Sequence, residues 1–437
     1  MREEERRKSL ECSIKDGMAW AVNEGLGVYS VPPFAVALGA SEKQIGALTS
    51  VPNLVSNLSQ LATPKLMERK SRKKLVTDFI FFQAFTWLPM ALLALSVFLF
   101  GIRNAVLPLF VMIFYTGYLT LGLLVRPAWS SWMGDLVREE ERGRFFGRRN
   151  RLTGLANLTA VLFAGFFLDA WKGRGYLFLG FAILFLLAMM ARLVSRHFLL
   201  RQYEPPFKEE RGYYFGFPEF LKKIWRRGRR PNRFGRFTLY ASLMAFTVNL
   251  AAPFFAVYML RYLHFSYSVY MLIVFASSFA RLLSMPWWGK FSDRYGRLTT
   301  LRAGGLLIPW VPLLWLLTSN PVHLFTIEMF SGFAWAAFDL ASFAFVYDVV
   351  SRQRLGVCFS YFNVLNGLGT FVGATLGGFL AELNLGFHPI LFLFLLSGIL
   401  RLIVSLVLLP HLKEIRRVPA EKLMHFERSF IRRKFRI

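Results

Sequence analysis

The chain has 437 residues, 55% of them hydrophobic and 17% aromatic, and its mean hydropathy is positive at +0.42. It also carries 53 Lys and Arg against 26 Asp and Glu, a net charge of +27. Soluble enzymes and nucleic-acid binders are polar on average, so a chain this apolar and this basic reads as a polytopic membrane protein with its cations gathered in loops on one side.

Residues 1–17 are charged and lack the apolar core and cleavage site of a secretion signal. At about 20–25 residues per span, the apolar runs predict twelve helices. They lie near 14–39, 43–67, 75–100, 106–136, 144–170, 175–199, 236–261, 266–290, 298–318, 321–349, 356–383 and 388–410. Residues 200–235 are rich in Arg, Lys, Pro and Gly and separate six spans from six. The expected fold class is therefore an all-α membrane protein of twelve transmembrane helices in two pseudo-symmetric six-helix bundles. The bundles are 1–199 and 236–411, with a basic linker at 200–235 and a basic tail at 412–437. Cys12 and Cys358 are too few for a disulfide framework.

Lys and Arg in the short loops set the orientation. With the N-terminus inside, the inner loops hold 65–74, 138–151, the linker, 290–302 and the tail. The outer loops hold only Lys43, Arg103, Lys172, Arg174 and Arg261. Both termini are expected in the cytoplasm of a cell-membrane protein. The run Lys222-Lys-Ile-Trp-Arg-Arg-Gly-Arg-Arg230 fits attraction to anionic inner-leaflet headgroups, at about 1 kcal/mol per basic residue, better than a nucleic-acid site. The Trp and Phe residues between the linker's charges suit an interfacial helix.

The two halves repeat. Shifted by 213 positions, Asp135 falls on Asp348, Gly143 on Gly356, Phe146 on Phe359, Asn150 on Asn363, Gly154 on Gly367 and Gly165 on Gly378. Asp169 falls on the equally acidic Glu382. A shift of 225 sets Glu68-Arg69 on Asp293-Arg294 and Arg72 on Arg297. A duplicated six-helix unit is the plan of many secondary transporters, with the solute site near the bilayer midplane.

These motifs support a family. Gly289-Lys-Phe-Ser-Asp293-Arg294-Tyr-Gly296-Arg297 resembles the loop motif G-x-x-x-D-R-x-G-R of the major facilitator superfamily, in the loop after the eighth span. Pro64 to Lys73 looks like the first copy, with Pro64, Glu68 and Ser71 where that motif has Gly, Asp and Gly. Asp135 to Arg144 is similar to the family's segment between its fourth and fifth spans. The resemblance implies a cytoplasmic gate in each half. One comprises Glu68, Arg69, Arg72, Asp135 and Arg142; the other comprises Asp293, Arg294, Arg297 and Asp348. Bidentate guanidinium–carboxylate bonds would hold when the protein faces outward and break when it opens inward.

Charges inside the spans are functional candidates, since each costs roughly 2.5–3.5 kcal/mol at the bilayer centre. Glu24 lies about ten residues into the first span, roughly 15 Å deep. Arg126 lies nine residues before Asp135, and Asp339 nine before Asp348; the repeat maps Arg126 onto Asp339. Arg281 lies eight residues before Gly289. Glu24, Arg126, Asp339 and Arg281 are expected to line a central cavity. There Glu24 would carry a proton, and Arg126 would bind solute or serve as a counter-ion. Asn23, Asn53, Asn57, Gln60, Asn249, Asn363, Trp129, Trp132 and Trp335 are further polar and aromatic candidates. Gly369, Gly373 and Gly377, four residues apart, read as a close helix contact.

The sequence thus points to secondary active transport of a small solute by alternating access, driven by protons, without a cofactor, metal or nucleic acid. The absence of a Gly-Pro antiporter motif between Gly154 and Gly165 leaves uptake of a sugar, organic acid or peptide-like solute open. Two other classes are a transport-fold sensor without net flux and a membrane-embedded transferase. The transferase needs a catalytic His, Asp or Glu cluster at one membrane face, and the sequence offers none. A monomer is expected by analogy with the family.

Overall fold

The computed structural model describes residues 3–102, 104–138, 141–206, 233–350, 355–383 and 388–414. The expected interfacial run at Lys222–Arg230 and the tail beyond 414 lie outside them. The described residues form helices joined by short turns, with no strand among them.

We number the helical segments in chain order. They are α1 (3–37), α2 (42–67), α3 (Arg72–Phe100), α4 (Leu107–Leu136), α5 (Arg142–Gly173), α6 (Leu177–Leu200), α7 (Arg233–Tyr262), α8 (Tyr267–Tyr295), α9 (Arg297–Leu317), α10 (Pro321–Val349), α11 (Leu355–Leu380) and α12 (Pro389–Leu408). Among the described residues, nine are long and apolar enough to cross a membrane; α1, α2 and α11 are outside that set.

Local chemistry explains the ends. Ser41 and Gln44 form a reciprocal capping box at the start of α2, with bonds of 3.3 and 2.9 Å. Ser71 caps α3 by accepting from the Lys74 amide, and Asn320 caps α10 by accepting from Val322 ahead of a favourable Pro321. Several segments are broken inside. α1 tightens at 28–30, α7 is interrupted before Pro253 and ends in a π turn at 258–262, and α9 breaks at Pro309. Hydropathy alone reads straight through these breaks.

The contacts gather the chain into two compact units that do not coincide with its halves. Unit one takes the described residues of 1–211, 245–275 and 363–393. Unit two takes those of 212–244, 276–362 and 394–437. In unit one, α1 packs on α5 and α6, α2 on α4, and α3 on α4 and α6. Its aromatic core stacks Trp87 on Phe185 at 5.6 Å, with Phe34 edge-on to Phe185 at 5.2 Å. In unit two, α9 packs on α10. Gly304 permits this, because a Cβ there would sit 2.7 Å from the Phe338 amide nitrogen. Phe82, Leu92, Ile113, Phe166, Leu283 and Ile403 are exposed, the surface that lipid rather than water tolerates.

Candidate functional site

The deep polar groups of unit one form a directed chain. Trp87 Nε1 donates to Asn23 Oδ1 at 2.7 Å, Asn23 Nδ2 donates to the Tyr118 hydroxyl at 2.6 Å, and that hydroxyl donates to Glu24 Oε1 at 2.6 Å. Asn23, Tyr118 and Trp87 are buried, while Glu24 is half-buried. Arg126 and Arg192 lie within electrostatic reach of the Glu24 carboxylate.

A second network lies on α1, α3, α5 and α6. Asp16, buried, pairs with Arg149 at 3.5 Å and accepts from the Ser195 hydroxyl at 2.6 Å. Arg192 donates to Ser195 Oγ at 2.9 Å and to Gln83 Oε1 at 2.8 Å. The Gln83 amide passes on to the Tyr118 carbonyl at 3.0 Å. Arg149 also donates to the Ser13 carbonyl and lies over the Trp129 ring at 4.7 Å. Sequence reasoning did not single out Asp16, Arg149 or Arg192. The signal for Arg192 was present, a cation in a strongly apolar segment.

The amide residues also meet. Gln60 donates to Asn57 Oδ1 at 3.1 Å, and Asn363 donates to Gln60 Oε1 at 3.2 Å. This ladder joins α2 to α11. Asn249 of α7 donates to Thr370 of α11 at 3.1 Å.

In unit two, Asp339 is ion-paired with Arg281, so two of the four expected cavity charges come together. Arg126, in unit one, forms no ion pair among the described residues. Glu328, also absent from the sequence expectations, accepts from Trp315 Nε1 at 3.1 Å, within electrostatic reach of buried Arg401. Arg401 donates to Ser397 Oγ at 3.0 Å.

Each unit carries a charged cluster at its basic end. Arg72, 1% exposed at the start of α3, donates to Asp135 Oδ2 at 2.5 Å, Ser131 Oγ at 3.0 Å and the Pro205 carbonyl at 3.0 Å. Glu204 lies 3.8 Å from Arg72 and accepts from the Lys73 amide at 3.2 Å. In unit two, Arg297 pairs with Asp348 and donates to the Ala344 carbonyl at 2.7 Å. Glu414 accepts from the Leu298 amide at 2.8 Å. Glu68 and Arg69 line a cavity of about 440 Å³ beside Arg72 and Glu204. Arg142 instead caps the end of α4 through the Gly134 and Val137 carbonyls. Arg294 lies over the Tyr295 ring at 5.2 Å, and Asp293 stands next to it in the chain. Arg6 ties α1 to this end through Glu141 at 2.9 Å, and that hydrogen bond holds the Glu141 carboxyl below its usual range.

The opposite end of unit one joins segments from both sequence halves. Asp169, at the end of α5, accepts from the Tyr267 and Ser268 amides at the start of α8, at 2.8 and 2.7 Å. Its repeat partner Glu382, just beyond α11, accepts from the Lys43 amide in the first turn of α2 at 3.3 Å and pairs with Lys43 Nζ at 2.6 Å. Both carboxylates therefore sit where exposed amides and the helix dipole favour an anion. Arg261 pairs with Glu42 at 2.7 Å and bonds the Ala40 carbonyl. Glycines bring these helices close. A Cβ on Gly46 would lie 2.5 Å from the Ala374 carbonyl oxygen, and one on Gly165 would lie 2.8 Å from Met271 Cβ.

The sequence model of the Major Facilitator Superfamily matches residues 17–257 and 237–435. The chain belongs to that superfamily and is a multi-pass membrane transporter of small solutes. No curated protein matches it in sequence. Among solved structures, it resembles a point mutant of the nucleoside transporter NupG at 14% identity and TM-score 0.68, covering 94% of this chain and 100% of that one. It also resembles a bacterial homolog of the human lysosomal transporter Spinster, inward-facing and occupied, at 16% identity and TM-score 0.66, covering 99% of each chain. At these identities the likeness concerns the fold.

Proposed function

We propose that this protein is a proton-coupled secondary transporter working by alternating access as a monomer in the cell membrane, with both termini in the cytoplasm. The observation that carries this reading is the set of exchangeable polar contacts between the two sequence halves at the sparsely charged end. Asp169, Glu382 and Arg261 hold α8, α2 and α1–α2 through hydrogen bonds and ion pairs. Such contacts can be traded for water when that end opens. The Arg72–Asp135 and Arg297–Asp348 clusters are their counterparts at the basic end, each built inside its own unit. The loop charges make the basic end cytoplasmic.

Proton coupling is assigned to Glu24. Its carboxylate ends the Trp87–Asn23–Tyr118 chain, and it is half-buried within α1. Asp339, paired with Arg281, is a second site where a proton would release an ion pair. NupG is a nucleoside transporter, but the shared fold does not carry the solute over. The test is uptake into proteoliposomes under an imposed pH gradient. Accumulation that collapses with a protonophore is expected. Uptake that is equal with and without the gradient would overturn proton coupling.

A further inference from the structure

Arg126 is a deep cation with no direct ion-pair or hydrogen-bond partner among the described residues, and Glu24 is the carboxylate within its electrostatic reach. Other arginines within the apolar segments have partners: Arg149 has Asp16, Arg192 has Gln83 and Ser195, Arg281 has Asp339 and Arg401 has Ser397. Among the described residues, Arg126 forms no ion pair and donates no hydrogen bond, and its side chain is exposed. It lies nine residues from Asp135 along α4, about 14 Å from that end of the helix. An unmatched guanidinium at such a depth is costly, and it persists where it meets a water-filled cavity or a ligand.

The surrounding charges point to the sign of that ligand. Arg126, Arg149 and Arg192 face only two carboxylates in this network, Asp16 and Glu24. Asp16 already holds Arg149 and Ser195, and Glu24 already holds Tyr118. The surplus is one positive charge, and it rests on the side chain whose donors are uncommitted. Along α4, Tyr115, Gly122, Arg126 and Trp129 share one helical stripe, with Gly122 packed against the Gln83 side chain. Tyr115 lies within electrostatic reach of both Glu24 and Tyr29, and Tyr270 within reach of Tyr29. Tyrosines from α1, α4 and α8 thus gather on the same side as the Glu24 carboxylate.

We propose that the transported solute carries an anionic group, a carboxylate or a phosphate, and that Arg126 binds it. The guanidinium fork matches two oxygens of either group with parallel hydrogen bonds. The tyrosine cluster contacts the rest of the solute. This assignment rests on the transporter reading above and names its substrate class.

The test uses the full-length protein in detergent and in proteoliposomes. Thermal shift is measured with lactate, succinate and glucose 6-phosphate, against glycerol, glucose, adenosine and tetraphenylphosphonium. At least one anionic probe is expected to stabilise the wild type, and its neutral counterpart is not. Arg126→Gln should weaken that binding at least tenfold, and Arg126→Lys should weaken it less. Without ligand, Arg126→Gln should melt at the wild-type temperature or above, because it removes an unmatched charge. A lower melting temperature would make Arg126 a structural cation and overturn the proposal. So would a shift by neutral or cationic probes alone, or no shift by any anionic probe. A lactate, succinate or phosphate response then separates the two anion classes. Flux keeps the two levels apart. An anion that binds without crossing the bilayer would sink the transporter reading and leave the anion site. A neutral solute that crosses without any anion binding would do the reverse.

Discussion

Glu204 and Glu414 occupy equivalent places in the two halves. Each follows the last helix of its half and turns back to accept a hydrogen bond from the second residue of a helix, Lys73 at 3.2 Å and Leu298 at 2.8 Å. Each stands beside an arginine, Arg72 or Arg297, that pairs with the end of the following long helix, at Asp135 or Asp348. The repeat therefore duplicates a capped, charged joint as well as a set of helices.

Removing either cap should loosen its own joint. A side-chain cap is worth about 1 kcal/mol, and an anion at a helix N-terminus adds a few tenths. Glu204→Ala is expected to speed hydrogen exchange at the amides of 73–75, and Glu414→Ala at 298–300. Unchanged exchange at these amides would show that the carboxylates are not caps.

Arg72 should tolerate little. Its guanidinium serves three acceptors while buried, and a lysine cannot reach Asp135, Ser131 and Pro205 together. Loss of hydrogen bonds to a charged group costs about 1.5–3 kcal/mol each. Arg72→Lys is expected to cut transport at least tenfold, while Arg69→Lys, at the cavity rim, stays within about twofold. Equal losses from the two substitutions would contradict the assignment of the joint to Arg72.

Glu24→Gln should uncouple transport from protons. Glutamine fills the same space and keeps an acceptor for Tyr118, so the fold is retained. Exchange of solute across the membrane at equal pH is expected to continue, while accumulation under a pH gradient is lost. Tyr118→Phe removes two hydrogen bonds, from Asn23 and to Glu24, each worth about 1 kcal/mol, and should weaken the coupling without abolishing it. Gradient-driven accumulation by Glu24→Gln would move the proton site elsewhere, with Asp339 the next to test.

The clamp at the other end should not sense physiological pH. Hydrogen bonding from Lys43 holds the Glu382 carboxyl below its ordinary value. A depressed carboxylate contributes stability that is fully present above the unfolded pKa, near 4.3, and is lost as pH falls through the folded value. Glu382→Gln is therefore expected to change transport by one constant factor from pH 5.5 to 8. A factor that grows steadily over that range would contradict this.

Much of the architecture was legible because a span is a local property. A run of about 20 apolar residues declares itself whatever it packs against. The breaks at 28–30, at 250–253 and at Pro309 were not legible, since hydropathy is blind to backbone direction. Arg72, Asp135, Arg297 and Asp348 were legible through a motif that recurs. Asp169 and Glu382 were visible as a repeat pair, but their role was not, because each caps a helix of the other half. Asp16 and Arg149 are 133 positions apart, and only the folded chain shows that they cancel. Glu204 and Glu414 lie in polar stretches where another carboxylate stands out against nothing.

The most direct test of alternating access is a reversible lock on the end held by Lys43 and Glu382. Lys43→Cys and Glu382→Cys are introduced together in a background with Cys12→Ser and Cys358→Ser, and the protein is placed in proteoliposomes. Oxidation is expected to stop solute flux and reduction to restore it, while either single cysteine variant is unaffected by oxidant. Undiminished flux with the disulfide fully formed would contradict the account, because solute would then be crossing without that end opening.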